Sequence, residues 1–446
     1  MKKLGGVRAP HHKNTAMCPP REMPVPSEVR LPMSMHSGAP ANPVVAVGDY
    51  VKVGQLIGEA AGFVSSPVHS SVSGTVKSID NTDSVTGEKA VSITITPDGN
   101  QTLWEGIAPV SVTNLADFLE AVRNSGDVGL GGAGYPTAPK FTLKESVKLD
   151  YILVNGAECE PYVTSDTRTM IDATDYVWEG VLLMKEYLKP KNIVICIENN
   201  KPEPIKKIKK LCEGKDGISV RVLPSLYPQG ERKVLVYNVT GRIVPEGGRL
   251  PDVGCIVINC TTVATFAKYI KTGMPLVSKC VTVDGPAVKN PQNVIAPIGA
   301  YVKDIFEFCG LLSDGKLVND IKKVTLGGPM MGVAIPNLDI PIVKITNAVL
   351  AFSEKEARPP EPSACIKCGR CIFKCPMNLM PSNIENAYEL NKPESLKKFK
   401  VNMCAECACC AFVCPAKKPL VQVMILAKEM LSNYERALKA KKTEAK

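Results

Sequence analysis

The middle of the chain alternates short apolar runs with amphipathic stretches. The apolar runs are rich in β-branched residues and predict strands at residues 151–154, 193–197 and 255–258. The amphipathic stretches predict helices at residues 176–187 and 203–211. Strands that alternate with helices form a mostly parallel sheet covered by helices. Functional residues in such sheets gather beyond the carboxyl ends of the strands, which here are residues 155–160 and 259–262.

Two β-rich regions flank this predicted sheet. Residues 44–76 contain four-residue strands separated by glycine turns, the pattern of a small all-β domain. Residues 276–352 favour strands and turns again, and predict a compact β-grasp module. Helical spacing of apolar residues predicts helices at 114–122 and 420–438, and a proline-rich linker at 358–362 leads into the last region.

The first β-rich region resembles the barrel-sandwich hybrid fold of biotinyl and lipoyl carrier domains. A carrier needs a modifiable lysine at its hairpin tip, but the tip here reads Pro67-Val68-His69-Ser70-Ser71. We therefore expect a scaffold without a swinging arm. The predicted fold class is α/β multidomain, with four parts: residues 1–110 (N-terminal segment and barrel-sandwich-hybrid-like domain), 111–275 (α/β domain), 276–352 (β-grasp module) and 353–446 (cysteine-rich domain with a C-terminal helix).

The cysteine-rich region carries the strongest chemical signal. Nine of the seventeen cysteines lie between residues 365 and 414, where the pattern C-x2-C-x2-C-x3-C-P occurs twice. In two-cluster ferredoxins, three cysteines of each run hold one [4Fe–4S] cluster and the fourth ligates the other. The predicted ligands are Cys365, Cys368, Cys371 and Cys414 for the first cluster, and Cys404, Cys407, Cys410 and Cys375 for the second.

Two four-cysteine zinc sites are the alternative interpretation of these cysteines. Zinc sites usually separate two C-x2-C pairs by a longer loop, so the spacing favours iron–sulfur clusters. Cys409 falls outside the pattern and is expected to be a small apolar filler beside the second cluster.

Composition excludes several classes of protein. The 446 residues are 45% hydrophobic and 22% charged, with a formal net charge of +10, which is ordinary for globular protein. The lysines are scattered and lack interleaved aromatic residues, which argues against nucleic-acid binding. The eight cysteines outside the repeat show no paired spacing and favour a reducing compartment. Because no run of eighteen apolar residues occurs, we expect a cytoplasmic chain without a membrane span.

A glycine-rich loop precedes the predicted sheet. Its match to G-x-G-x-x-G is a weak dinucleotide signal, because that fingerprint follows a strand and opens a helix. Here a helix precedes the loop, and Pro136 interrupts the continuation. Glycines leave backbone N–H groups unshielded, which suits close approach by a phosphate or a flat ring; a plain flexible turn is the alternative. The glycines are Gly129, Gly131, Gly132 and Gly134.

The order of parts resembles the C subunit of the Rnf-type ion-translocating electron transport complex over essentially the whole chain. The opening, Gly5-Gly6-Val7-Arg8-Ala9-Pro10-His11-His12-Lys13, is similar to that family's start. The middle resembles the flavin-binding subunit of respiratory complex I, although Leu130 replaces an arginine and Arg232 stands where a second glutamate is frequent. The shared segments are Gly129-Leu130-Gly131-Gly132-Ala133-Gly134-Tyr135-Pro136-Thr137-Ala138-Pro139-Lys140, Asn155-Gly156-Ala157-Glu158-Cys159-Glu160-Pro161, Tyr227-Pro228-Gln229-Gly230-Glu231 and Asn259-Cys260-Thr261-Thr262.

The resemblance implies a site for FMN and NAD(H). It implies that Asn155 and Glu158 lie near the flavin and that Glu160 lies near the nicotinamide nucleotide. Asn259 and Thr262 would line the flavin ribityl chain and phosphate. The glycine loop with Lys140, together with Tyr227 and Glu231, completes the implied cofactor-binding set.

The implied function is that of a peripheral subunit of a membrane-bound ferredoxin:NAD+ oxidoreductase, at the cytoplasmic face of the membrane. Electrons would pass between NAD(H), non-covalent FMN and two [4Fe–4S] clusters, while other subunits translocate Na+ or H+. The implied partners are those subunits, ferredoxin through the complex, and NAD(H). A flavin is the expected converter, because nicotinamide exchanges two electrons as hydride and a cluster exchanges one. Glu158 and Glu160 are expected to discourage extra negative charge and so to favour NAD over its phosphorylated form.

Two other functions stay open at this point. One is a flavin and iron–sulfur cobalamin reductase of bacterial microcompartments, in which the flavin part comes first. The β domain ahead of the glycine loop favours the Rnf-type subunit instead. The other is a cluster-only electron-wiring scaffold whose flavin region has decayed, and the replacement at Leu130 is its only support.

Overall fold

The structure, a computed structural model, describes residues 4–83, 87, 89–318 and 320–444. Its N-terminal segment runs along the other domains. Val7 pairs with Tyr227 in an isolated bridge, and strand β1 (Arg21–Glu22) joins the edge of a sheet formed much later in the chain. The segment therefore links parts of the molecule that are distant in sequence.

The barrel-sandwich domain consists of two small sheets that enclose a core of β-branched and leucine side chains, including Leu31, Ile57 and Ile93. Its first strand begins at Val29, ahead of the strand pattern noted at residues 44–76, because this strand pairs with the distant strand at 89–97 and has no local hairpin signal. The sheet orders are β2-β8-β7-β4 and β3-β5-β6. The strands are β2 (Val29–Pro32), β3 (Asn42–Pro43), β4 (Tyr50–Val51), β5 (Leu56–Glu59), β6 (Val68–His69), β7 (Gly74–Asp83) and β8 (Lys89–Pro97).

The α/β domain contains the predicted parallel sheet, with strand order β11-β10-β9-β12. The three predicted apolar runs are three of its four strands, and their side chains are buried beneath helices on both faces. The elements are α1 (Leu115–Asn124), α2 (Thr137–Phe141), β9 (Tyr151–Gly156), α3 (Ser165–Asp172), α4 (Thr174–Leu188), β10 (Asn192–Glu198), α5 (Pro202–Cys212), β11 (Ile218–Leu223), α6 (Arg232–Thr240), β12 (Cys255–Asn259) and α7 (Cys260–Thr272).

The β-grasp module has a six-stranded mixed sheet, in the order β1-β14-β13-β19-β17-β18, packed against one helix. The strands and turns predicted for residues 276–352 are confirmed. Its elements are β13 (Ser278–Asp284), β14 (Gln292–Pro297), α8 (Val302–Phe308), the hairpin β15 (Leu312–Ser313) and β16 (Lys316–Leu317), β17 (Ile321–Leu326), β18 (Val333–Ala334) and β19 (Ala348–Ser353).

The cysteine-rich domain is built from short helices around one long helix. The predicted C-terminal helix runs from Leu420 to Glu444, and buries Leu420, Met424 and Leu431 against this domain. The helices are α9 (Glu354–Ala357), α10 (Arg370–Phe373), α11 (Pro381–Glu389), α12 (Pro393–Lys398), α13 (Cys409–Phe412) and α14 (Leu420–Glu444).

Candidate functional site

Three of the predicted segments meet at the carboxyl edge of the parallel sheet. Asn155, near the end of β9, lies directly beside Asn259, which ends β12. The loop between β11 and α6 comes to the same edge, because Asn155 Nδ2 donates a hydrogen bond to the Gly230 carbonyl at 2.9 Å. The structure thus brings these asparagines and the 227–231 segment together.

The glycine loop lies over this edge and folds back on itself. The Gly129 amide donates to the Tyr135 carbonyl at 2.9 Å, and the Gly134 amide donates to the Gly129 carbonyl at 3.0 Å. These bonds leave Gly131 and Gly132 exposed at the tip. A Cβ atom on Gly131 would lie 3.0 Å from Asn259 Nδ2, a tight contact that would press on the Asn259 side chain.

Helix α7 begins directly beneath the loop. The Asn259 side chain accepts hydrogen bonds from the amides of Thr261 and Thr262, at 2.9 and 3.2 Å, and so caps the helix. Thr262 Oγ1 accepts from the Leu130 amide and donates to the Val128 carbonyl, both at 3.0 Å. An exposed glycine backbone is therefore fixed at the N-terminus of a 13-residue helix, an arrangement that binds phosphate.

Leu130 points away from this loop surface. Its side chain is only 1% exposed and belongs to the core of the barrel-sandwich domain. A cation still approaches the loop from below, because the buried Lys279 Nζ donates to the Leu130 carbonyl at 3.0 Å. The leucine therefore packs two domains together and removes no exposed glycine amide from the loop.

Lys140 lies on α2, close to the end of the loop. Burial lowers the pKa of its ammonium to about 8, although the nearby Asp127 acts in the opposite direction. Its side chain is half-buried. A cation at this position suits the neighbourhood of an anionic cofactor.

Glu158 is buried and caps a helix. Its Oε1 accepts a hydrogen bond from the Asp166 amide at 2.7 Å, and its Oε2 accepts from Thr167 Oγ1 at 2.7 Å, at the start of α3. Burial raises the pKa of this carboxyl to about 7. The structure therefore gives Glu158 a structural task in addition to the nucleotide role that the resemblance implies, which stays a prediction.

The Glu160 carboxyl contacts the β-grasp module. Its Oε2 accepts from the Met330 amide at 3.1 Å, in a turn of the β-grasp module. The buried Tyr227 hydroxyl lies beside this carboxyl, and its hydrogen bond favours the ionised form. Burial raises the pKa of Glu160 to about 7. Glu160 is thus held between the β-grasp module and Tyr227, and its place near the nicotinamide nucleotide stays a prediction.

The Glu231 carboxylate caps α6, where its Oε2 accepts from the amides of Lys233 and Val234, each at 2.8 Å. Burial raises the pKa of Glu231. This cap fixes the loop that carries Tyr227 and Gly230. Glu231 therefore acts on the site by holding that loop in place.

Lys13 is a residue of the site that sequence reasoning missed. Its Nζ donates to the carbonyls of Glu158, Glu160 and Val163 at 2.7, 2.8 and 2.6 Å. The N-terminal segment thereby holds the chain that carries both glutamates. The resemblance included Lys13 in the family's opening, but no local pattern showed what its ammonium contacts.

Four of the predicted cluster ligands line one cavity. Cys375 comes from the first repeat and Cys404, Cys407 and Cys410 from the second, which is the cross-ligated set. Zinc would need four sulfur atoms about 2.3 Å from a single ion. Among the described residues, no three His, Cys, Asp or Glu side chains converge in that way. The assignment of these four cysteines to the second cluster stays a prediction.

The other four cysteines lie nearer the surface. Cys365 and Cys368 are exposed, and Cys371 and Cys414 are half-buried. The segment that leads into Cys365 is joined to the one after Cys414, because the Ser363 amide donates to the Ala416 carbonyl at 2.9 Å. The chain next to Cys365 thus lies beside the chain next to Cys414, as the predicted ligand set of the first cluster requires.

The second cluster site adjoins the sheet edge. Cys407 and Cys409 pack against Val7 and Tyr227, and Cys409 Sγ lies 3.9 Å from the Tyr227 carbonyl oxygen. Cys409 is fully buried, in agreement with the expected filler. At Gly5 a Cβ atom would lie 2.6 Å from the Cys375 carbonyl oxygen, so the N-terminal segment is pressed against this cluster site.

Three family models match the chain in the predicted order. They are the RnfC barrel sandwich hybrid domain over residues 1–100, the Nuo51 FMN-binding domain over residues 122–268 and the SLBB domain over residues 280–334. Together with the paired cysteine repeats, they define a multidomain electron-transfer protein of the flavin and iron–sulfur class. The predicted fold class is confirmed.

Curated relatives identify the family within this class. The chain is 39% identical to the C subunit of the proton-translocating ferredoxin:NAD+ oxidoreductase complex of Clostridium ljungdahlii, over 85% of this chain and 82% of that one. It is 38% identical to the C subunit of the Na+-translocating complex of Acetobacterium woodii, over 87% of each chain. It is 34% identical to the C subunit of the ion-translocating oxidoreductase complex of Rhodobacter capsulatus, over 97% of this chain and 83% of that one. The chain belongs to this family of C subunits, as the resemblance predicted.

A solved structure is similar to most of the chain. An NAD+-reducing [NiFe]-hydrogenase in the air-oxidized state is similar over 72% of this chain and 63% of that chain, with a TM-score of 0.50 and 15% identity, and shows the fold alone. In the part of the chain that the structure describes, no helix is long and apolar enough to cross a bilayer.

Proposed function

We propose that this protein is the peripheral subunit through which an ion-translocating ferredoxin:NAD+ oxidoreductase exchanges electrons with NAD(H). The observation that carries the proposal is the contact between the second cluster site and the 227–231 loop, through Tyr227 and Cys409. That loop is bonded in turn to Asn155 at the edge beneath the glycine loop. The proposed flavin site and the proposed second cluster site would thus share the 227–231 loop as a common wall.

The residues present fit FMN. The exposed amides of Gly131 and Gly132, at the N-terminus of α7, would hold its phosphate, and Lys140 would add positive charge nearby. Asn155 and Asn259 would face the rest of the cofactor, with Glu160 on the nicotinamide side. Bound FMN exchanges two electrons with nicotinamide as hydride and passes them on singly.

The two clusters take different places in the proposed route. The second site (Cys375, Cys404, Cys407 and Cys410) is largely buried and touches the flavin-side loop. The first site (Cys365, Cys368, Cys371 and Cys414) is more exposed. The proposed order is therefore NAD(H), FMN, second cluster, first cluster and external partner, with ion translocation left to other subunits at the cytoplasmic face of the membrane.

The Leu130 replacement does not favour a decayed flavin region. Its side chain lies in the barrel-sandwich core, while the loop amides remain exposed. The arrangement of the domains also supplies nothing in favour of a cobalamin reductase, because the barrel-sandwich domain precedes the glycine loop.

The test is a visible spectrum of the protein purified without oxygen, loaded with FMN and iron–sulfur clusters, before and after NADH. We expect the flavin band to bleach and the cluster absorbance to fall. A cluster-only spectrum that survives FMN addition would establish the scaffold instead, and NADH-dependent corrinoid reduction would revive the cobalamin reductase. If the protein is colourless and its thiolates bind metal, the cysteines are zinc ligands and the iron–sulfur assignment is wrong.

A further inference from the structure

A groove opens at the surface beside Cys414, between α10 and α13. Its apolar walls are Phe373, Phe412, Val413 and Pro415. Three basic residues rim it: Arg370, Lys374 and Lys417. We call these residues, with Cys414, the Phe373 groove.

The aromatic side chains of the Phe373 groove face solvent. Phe373 is 79% exposed and Phe412 is 47% exposed. Ile366, in the same cysteine loop, is 66% exposed. Large apolar side chains that cover a cluster would be buried against it, whereas exposed aromatic groups grouped together mark interaction sites.

The rim of the groove is positive and uncompensated. Arg370, Lys374 and Lys417 are all exposed, and in the described part of the chain none of them forms an ion pair. The adjacent Lys418 differs, since it pairs with Glu385 at 2.9 Å. The positive charge that is not paired with a carboxylate therefore lies at the rim of the groove, where it complements an acidic partner.

The groove is also close to the first cluster site. Cys414 lines it, and Cys371 lies on α10, the helix that carries Arg370 and Phe373. A partner seated here has its contact surface directly above the more exposed of the two cluster sites. The flavin-facing part of the domain, at Cys407 and Cys409, is covered by Val7, Ala9 and Tyr227.

We propose that the Phe373 groove is the docking surface for an acidic iron–sulfur protein that exchanges electrons with the first cluster. This inference rests on the proposed function, because it needs a redox-active cluster at Cys365, Cys368, Cys371 and Cys414. In the forward step, the partner's reduced cluster loses one electron and the first cluster gains it, with no bond made and no proton moved. A small apolar contact inside a ring of charge suits such a transient encounter.

The experiment measures electron transfer to the full-length protein carrying both clusters and FMN. A reduced, acidic two-[4Fe–4S] ferredoxin is the probe, and stopped-flow absorbance gives the second-order rate constant. Lys374→Glu with Lys417→Glu should lower this rate at least tenfold at about 50 mM salt, since steering by charge changes association rates by roughly 10–10³. The deficit should shrink several-fold at about 0.5 M salt, where such charges are screened.

The matched control is Lys206→Glu with Lys209→Glu, which makes the same charge change on the exposed face of α5. It should keep the wild-type rate within twofold. Phe373→Ala tests the apolar part of the groove and should weaken transfer at both salt concentrations. If the glutamate pair disturbs cluster loading, Lys374→Gln with Lys417→Gln replaces it, with an expected loss of at least threefold.

Several results would overturn the proposal. One is an unchanged ferredoxin rate in the glutamate pair at low salt, and another is an equal loss in the α5 control. A third is loss of binding to phosphatidylglycerol vesicles with an unchanged ferredoxin rate, which would assign the groove to the membrane surface. Reduction of the flavin by NADH is followed in the same samples, so failure of the proposed function is seen separately from failure of the groove.

Discussion

Lys344 lies at the junction of three domains and has no carboxylate partner among the described residues. Its side chain is 1% exposed. The Nζ atom donates to the Pro67 carbonyl at 2.6 Å, to the Gly126 carbonyl at 2.7 Å and to Ser66 Oγ at 3.2 Å. It thus ties the hairpin tip of the barrel-sandwich domain to the chain just before the glycine loop. Lys344→Met would remove these bonds while keeping most of the side-chain volume.

The pH dependence of this effect follows from the pKa. Burial lowers the pKa of Lys344 from 10.5 to about 7. Between these values the unfolded chain binds more protons than the folded one, so the lysine's contribution to stability grows as pH rises. One such group changes the free energy of unfolding by at most about 1.4 kcal/mol per pH unit. Between about pH 7.5 and 9.5, the free energy of unfolding of the wild type minus that of Lys344→Met should therefore increase by about 2–3 kcal/mol.

Thermal unfolding at several pH values measures this difference. An increase of about 2–3 kcal/mol in this difference corresponds to roughly 4–12 °C in Tm, at about 2–4 °C per kcal/mol. Lys316→Met, at an exposed position of the same module, is the control and should show no trend with pH. If the wild-type free energy of unfolding minus that of Lys344→Met stays constant or falls as pH rises, Lys344 is charged in the folded protein and its pKa is not lowered.

Three further predictions concern the cofactor sites. Thr262→Val should weaken FMN binding by up to about thirtyfold, since it removes two bonds to the glycine loop worth about 1 kcal/mol each, whereas Thr265→Val on the same helix should leave it unchanged in a fluorescence titration. Leu130→Arg should lower Tm by several degrees because it buries an unpaired guanidinium; tighter FMN binding at unchanged Tm would contradict this. Cys375→Ser should remove the second cluster, seen as a loss of about half the bound iron, and full iron content would refute the assigned ligand set.

The parts of the fold that were predictable have strong local signals. The three predicted strands are continuous apolar runs because they are buried on both faces. The cysteine repeat predicted cross-ligation because its spacing is that of two-cluster ferredoxins. In each repeat the first three cysteines ligate one cluster, and the fourth, which precedes proline, ligates the other. The cavity shared by Cys375 and the second repeat agrees with it.

Other elements depend on contacts that sequence does not display. Strand β11 was not predicted, because it lies at the edge of the sheet and leaves most of its residues partly or fully exposed. Helix α3 is short and polar, and the Glu158 cap holds its first turn. The contacts of Lys13 and Lys344 could not be predicted from local sequence patterns, because both ammonium groups bond to carbonyl groups far away in the chain.

The course of the N-terminal segment has a consequence for biosynthesis. Val7 pairs with Tyr227, and Arg21 pairs with Val294, so the residues translated first wait for partners that leave the ribosome much later. Contacts this distant in sequence slow folding, and until they form, the carbonyls held by Lys13 lack this donor. An affinity tag fused at the N-terminus would lie at the seam between Gly5 and the cluster domain, whereas one placed after α14 avoids it. Expression with the tag at the C-terminus should therefore give the better yield of cluster-loaded protein.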